Sequence, residues 1–135
     1  MILAIKTADA VSEIYLLHDT ACRAPAKPVL WLVQEKKWEA GRNLSTELLG
    51  EVEKIVGDFD KLTGLIVFTG PGSFTGLRIG ISTMNALAYG KNLPIVGVNG
   101  EDWLEKGKKR LEKGENDKIV APEYGGEANI TIPKR

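Results

Sequence analysis

The sequence holds one cysteine, Cys22, and one histidine, His18. A lone cysteine excludes a disulfide within the chain, and the two residues together cannot supply the ligands of a Cys/His zinc cluster. A histidine four residues from a cysteine is also the minimum of a base and nucleophile. No third group is identifiable to orient the base, so the two read as filler between strands. An excess of charge of one sign is missing as well, since 18 Lys and Arg balance 18 Asp and Glu. A zero balance leaves no electrostatic footprint for tight, independent binding to RNA or DNA. It also weakens solubility, which makes a partner surface an expectation. No apolar run approaches the ~18 residues of a membrane span. The opening "MILAIKTAD" is too short an apolar run for a secretory leader and passes straight into a strand. The expected location is the cytoplasm, with no membrane partner. Internal repeats and low-complexity segments are absent too.

What is present suits one compact domain: 135 residues, 43% hydrophobic and 27% charged. "ILAIK" (2–6), "EIYLLHD" (13–19) and "PVLWLVQEK" (28–36) read as three strands. Their connections are short, and Pro25 and Pro28 mark the second link, so an antiparallel meander is expected. "NLSTELLGEVEKIVG" then changes period. Leu44, Leu48, Val52, Ile55 and Val56 fall at helical spacing, with Asn43 or Ser45 to cap the start and Gly57 to end it. "DFDKLT" reads as a link or short turn. "GLIVFTG" and "LPIVGV" are short continuous apolar runs, as in strands covered on both faces. A second helix is expected from about Gly76 to Lys91 and a third from Glu101. Asp102 and Glu105 each precede a lysine by four residues there, so the third helix reads as a charge-cancelled, solvated face. The order β-β-β-α-β-α-β-α implies an α/β domain with a mixed sheet and helices on its faces, spanning 1–118. The remainder, 119–135, reads as a tail able to add an edge strand.

The stretch "TGPGSFTGLRIG" joins a strand to the second helix through Gly70, Pro71, Gly72, Ser73, Phe74 and Thr75. A glycine turn before a helix N-terminus can bind phosphate through free N–H groups. The Walker pattern, however, needs a Gly-Lys-Ser/Thr ending, and here Gly76 is followed by Leu77 and Arg78. The dinucleotide fingerprint fails because its third glycine arrives one residue late. These six residues are therefore expected to shape a turn rather than hold a nucleotide, and no cofactor is expected.

Around a 3.6-residue turn, Leu77, Ile81, Met84 and Ala88 share one stripe of the second helix, expected to face the core. Gly76, Gly80, Thr83 and Leu87 share the adjacent stripe, with Ile79 beyond, and are expected to face a partner. Arg78, Ser82, Asn85 and Tyr89 form the polar edge. The apolar and small arc exceeds half the circumference, more than a helix covering its own sheet needs.

These same segments, "ILAIKT", "TGPGSFTGLRIGIS", "NALAYGKNLPIVGV" and "LSTELL", resemble the bacterial TsaB (YeaZ) family over about residues 1–104. The tail "PEYGGEANITIPK" is similar to that family's C-terminal end. The resemblance implies an actin-like ATPase (ribonuclease H-like) fold and a role in making threonylcarbamoyladenosine in tRNA. It implies a non-catalytic subunit that pairs with a homologous catalytic subunit, TsaD, through two helices. Here those helices would offer Leu48, Val52 and Ile55 of the first, and Gly76, Ile79, Gly80, Thr83 and Leu87 of the second. It further implies an ATPase subunit, TsaE, attached to the pair, tRNA met only through the complex, and a homodimer when the chain is alone.

The chain departs from that pattern in three places. The first strand usually ends in Asp-Thr/Ser, at the phosphate and metal corner of active relatives; here it ends in Lys6-Thr7. The His-Ser pair that commonly opens the first helix is replaced by Leu44-Ser45. A second domain of related fold usually follows the third helix, and here it reads as reduced to a loop, which makes TsaE attachment less secure than pairing with TsaD. An enzyme acting alone is the competing expectation. A phosphotransferase of this fold needs carboxylates at the metal corner and a closing domain. A zinc peptidase needs paired histidines, and a serine peptidase a base near Ser73. A homodimeric scaffold unrelated to tRNA would use the same helix surface.

Overall fold

The computed structural model describes residues 1–18, 32–40 and 43–122. The readings of Cys22, Pro25 and Pro28, and of the tail from residue 123 onward, lie outside the described residues.

Three strands open the chain: β1 (Ile2–Lys6), β2 (Val11–Leu17) and β3 (Leu32–Glu39). They pair antiparallel, with Ala4 opposite Tyr15 and Ile14 opposite Lys36. The meander is as read, but β3 runs on to Glu39, three residues past its expected end. Helix α1 (Leu44–Val56) then crosses to β4 (Gly64–Phe68), and α2 (Phe74–Lys91) crosses to β5 (Ile95–Val98). These crossovers allow β4 to pair in parallel with β1 and with β5. The sheet order is β3-β2-β1-β4-β5. A single 3-10 turn at Phe59–Lys61 fills the link before β4, and α3 (Trp103–Glu112) follows β5.

The central strands are buried on both faces, so β4 is apolar throughout, without alternation. On one face, Trp103 of α3 packs edge-on against Tyr15 and Phe68, with ring centroids 6.0 and 5.7 Å apart. Burial, and then Glu13 beside it, push the Tyr15 hydroxyl well above its ordinary range. Gly107 lets α3 lie directly on Ile66, since a Cβ there would come within 2.5 Å of Ile66 Cγ2. The solvated reading of α3 thus describes only its outer side: Trp103, Gly107 and Lys108 are buried. On the other face, α1 buries Leu44, Leu48, Val52, Ile55 and Val56, and α2 buries Leu77, Gly80, Ile81, Met84 and Ala88. Residues 119–122 form no strand. They are tied to α2 by Asn85, whose side chain donates to the Val120 carbonyl and accepts from the Val120 N–H, both at 2.9 Å.

Candidate interaction surface

The glycine loop is folded down onto the end of β1. Gly70 sits at φ +127, a backbone conformation that side chains disfavour, and is joined to Pro71 by a cis peptide bond. Gly72 lies so close to Ala8 that a Cβ would meet the Ala8 Cβ at 2.3 Å. The Ser73 N–H donates to the Ala8 carbonyl at 2.7 Å, and Ser73 Oγ caps α2 by accepting from the Gly76 N–H at 3.4 Å. Phe74 is half exposed beneath the Arg78 guanidinium, 5.1 Å from its ring centroid, and Thr75 is exposed. Because Ser73 caps the helix, α2 begins two residues earlier than its apolar period does. Two donors that a phosphate would need here are already taken by the chain itself.

The neighbouring corner, at the C-terminal end of β1, carries Lys6 and Thr7. Lys6 Nζ lies 4.7 Å from the centroid of the Phe68 ring. Thr7 is buried and its hydroxyl donates to the Gly76 carbonyl at 2.7 Å. An ammonium and an occupied hydroxyl do not fit a magnesium nucleotide, whose metal takes oxygen ligands, usually including carboxylates. Among the described residues no three His, Cys, Asp or Glu side chains converge on one point.

Several residues expected on a partner face lie inside this chain. Leu48, Val52 and Ile55 are 1%, 0% and 5% exposed, on the stripe of α1 that packs on the sheet. Gly80 is buried and Gly76 half-buried, and both press on Thr7. A Cβ at Gly76 would come within 2.2 Å of the Thr7 carbonyl oxygen, and one at Gly80 within 2.2 Å of Thr7 Oγ1. These glycines serve the close approach of α2 to its own strand, which corrects their assignment to a partner face. Ile79, Thr83 and Leu87 are half-buried; Ile79 lines a cleft with Leu44 at the mouth between α1 and α2.

The outward surface is formed by other residues. One flank of α1 is held to β3: Trp38 Nε1 donates to Glu47 Oε1 at 3.2 Å, and Lys36 Nζ pairs with Glu51 at 3.0 Å. The hydrogen bond from Lys36 holds the Glu51 carboxyl below its ordinary range. On the free side Leu49 is 51% exposed, and Gly50 has open space where a side chain would stand. On α2 the exposed residues are Arg78, Ser82, Ala86, Tyr89, Gly90 and Lys91, with Phe74 and Thr75 at its start. No charged residue occurs between Arg78 and Lys91. Tyr89 is 92% exposed and Gly90 again faces open space. Leu49 directly follows Leu48 of the buried stripe in sequence, and a leucine outside that stripe is the signal that could have found it. Gly50 could have been found as a glycine in a helix interior, which costs about 1 kcal/mol relative to alanine.

Comparison with known proteins bears on this surface. Residues 39–120 match the family described as "TsaD: tRNA N6-adenosine threonylcarbamoyltransferase". A protein of that name from Geotalea daltonii is 55% identical over 38 residues, covering 28% of this chain and 11% of the relative. The "tRNA threonylcarbamoyladenosine biosynthesis protein TsaB" of Bacillus subtilis is 31% identical over 107 residues, covering 76% of this chain and 42% of the relative. The chain thus spans well under half the length of these curated relatives. Among solved structures, "an uncharacterized protein with similarity to peptidase YEAZ" from Pseudomonas aeruginosa superposes with a TM-score of 0.63 at 22% identity. That superposition covers 84% of this chain and 49% of the other, and it carries the actin-like, ribonuclease H-like fold expected of the sequence. The match over 39–120 takes in more than half of the chain, so the chain belongs to the TsaD family of tRNA N6-adenosine threonylcarbamoyltransferases, and within it is a TsaB/YeaZ-like protein.

Proposed function

We propose that this chain is a non-catalytic subunit that pairs with a TsaD-type catalytic homologue in the threonylcarbamoyladenosine modification of tRNA. The observation that carries this reading is the outer face of α1 and α2. Gly50 and Gly90 each face open space, Leu49 is half exposed, and α2 carries no charge from Ile79 to Gly90. Gly50 lies inside α1 and Gly90 in the last turn of α2; a helical glycine costs stability relative to alanine, and neither packs against anything among the described residues. They do allow a second helix to approach closely. A non-catalytic role is supported by Lys6 at the corner where active relatives carry an acid, and by the loop donors committed to Ala8 and Ser73. The names of the TsaB relatives place them in this modification, and TsaD is the namesake of the family.

Co-expression with a TsaD-type homologue, followed by size-exclusion chromatography, tests the proposal. A co-eluting pair is expected. Leu49→Glu combined with Ala86→Glu should abolish it while leaving thermal unfolding of the isolated chain nearly unchanged, because both positions are exposed. Desolvating two unpaired charges in an interface costs several kcal/mol, on the order of a thousandfold in affinity. A pair that survives both substitutions would remove this face from the proposal, and no pair at micromolar concentration would remove the proposal itself.

A further inference from the structure

Charges on α3 are sorted by side. Lys106, Lys109, Arg110 and Lys113 line one open cavity of about 670 Å³, between α3, the ends of β4 and β5, and residues 117–121. Glu105 lies elsewhere, in a separate depression with Glu101 and Leu104. Balanced composition therefore hides a local excess of positive charge.

The carboxylates near the cavity are already engaged. Arg110 pairs with Glu115 at 2.6 Å and with Asp117, and also donates to the Gly97 carbonyl at 2.9 Å. Lys106 is 3.4 Å from Asp102 and donates to the Asn99 carbonyl at 3.0 Å. Lys108 holds Glu112 at 3.1 Å. Lys109 and Lys113 are left, both exposed, and neither has an ion-pair partner among the described residues. They stand four residues apart, one above the other, about 6 Å along the helix axis. Apolar Val98 and Val120 also line the cavity, together with Thr69 and Asn99.

We propose that this side of α3 is a docking surface for RNA, with Lys109 and Lys113 neutralising backbone phosphates. Two ammonium groups in a row, with no ion-pair partner among the described residues, above an open trough suit a strand that passes through, and a trough open along its length does not enclose a small molecule. RNA as the occupant rests on the tRNA-modification reading above. The zero net charge of the chain sets the strength: binding by the chain alone should be weak and confined to low salt.

The test is fluorescence anisotropy of a labelled tRNA with the isolated chain, titrated with salt. It requires no partner subunit, so it can fail while pairing succeeds, and the reverse. The Lys109→Ala, Lys113→Ala double variant should bind at least tenfold more weakly at low salt. Its slope of log affinity against log salt should fall by about 1.5, at ~0.7–0.9 for each phosphate no longer neutralised. A second double variant, Lys54→Ala with Lys61→Ala, removes the same charge from elsewhere on the surface and should change binding less than twofold. Equal losses in the two variants would overturn the proposal, as would no measurable binding by the wild type. Displacement of the tRNA by stoichiometric pyrophosphate would also overturn it, in favour of a small polyphosphate ligand.

Discussion

Thr7 is the residue on which the α2 side of the domain turns. Its carbonyl and hydroxyl touch two successive turns of α2, and only glycine fits at Gly76 and Gly80. Gly76→Ala must push the helix off backbone, whereas Gly80→Ala pushes on a side chain. Both should destabilise by roughly 1–3 kcal/mol, read as a lower urea midpoint. Thr7→Ala should offset part of the Gly80→Ala loss and none of the Gly76→Ala loss; additive effects in both pairs would refute this contact. These glycines were legible as a small-residue stripe, but their direction was not. A wheel shows which residues share a side, and only the position of β1 shows what that side meets. A second residue-scale expectation concerns Asp117. Burial pushes its carboxyl up, but hydrogen bonds from Arg110 and from the Gly97 N–H outweigh this and hold it below its ordinary range. A depressed native pKa means that the unfolded chain binds the proton first. The stabilisation is complete above the unfolded value of about 3.9 and is lost as pH falls through the native value. The stability gap between wild type and Asp117→Asn should therefore narrow below about pH 4; a gap constant from pH 7 to pH 3 would count against it.

At the scale of elements, the order and type of all eight principal strands and helices could be read from period and punctuation. Boundaries moved where tertiary contacts act: β3 extends to Glu39 because β2 offers partners as far as Val11. The mixed pairing of the sheet follows from the connections, since helices separate β3 from β4 and β4 from β5. The inner side of α3 was not legible. Lysine or arginine at four of its ten positions masks the Trp103 and Gly107 contacts that seat it. Also hidden was the way residues 116–120 return along β5. Asn116 Oδ1 accepts from the Ile95 N–H at 3.1 Å, and the Asp117 N–H donates to the Ile95 carbonyl at 2.7 Å, so loop residues engage this stretch of the strand without forming a strand themselves. Asn85 then fastens Val120 from α2. Asn85→Ala leaves both backbone groups of Val120 without that partner and should cost about 1–3 kcal/mol. Hydrogen exchange at Val120 should accelerate well beyond the global loss of stability; exchange that tracks global unfolding alone would show that the clamp is not local.

For the whole molecule, the chain must reconcile a zero net charge with an uncharged, partly apolar helix face. The sequence conveyed that α2 has more apolar arc than one sheet face needs, but Gly76 and Gly80 of that arc pack closely on Thr7, and Ile79, Thr83 and Leu87 are half-buried. What remains for a second molecule is smaller: Leu49 and Gly50 on α1, and Ala86, Tyr89 and Gly90 on α2. If this face meets a homologous subunit as proposed, it can also meet its own copy about a twofold axis, giving an isologous dimer. Such a dimer should bury at the low end of the ~1,200–2,000 Å² of specific interfaces and dissociate at micromolar concentration. Gly50→Ala and Gly90→Ala separate the two demands on the face. Nothing among the described residues would contact a Cβ at either site, so each should stabilise the isolated monomer by about 0.5–1 kcal/mol. The added methyl groups should at the same time hold apart the backbones that meet there, and weaken the homodimer and the pair with a TsaD-type subunit alike. Sedimentation equilibrium and urea unfolding of the same double variant read both effects. Higher monomer stability with undiminished association would mean that the two glycines face solvent in the assembly as well, and that the contact lies elsewhere on the domain.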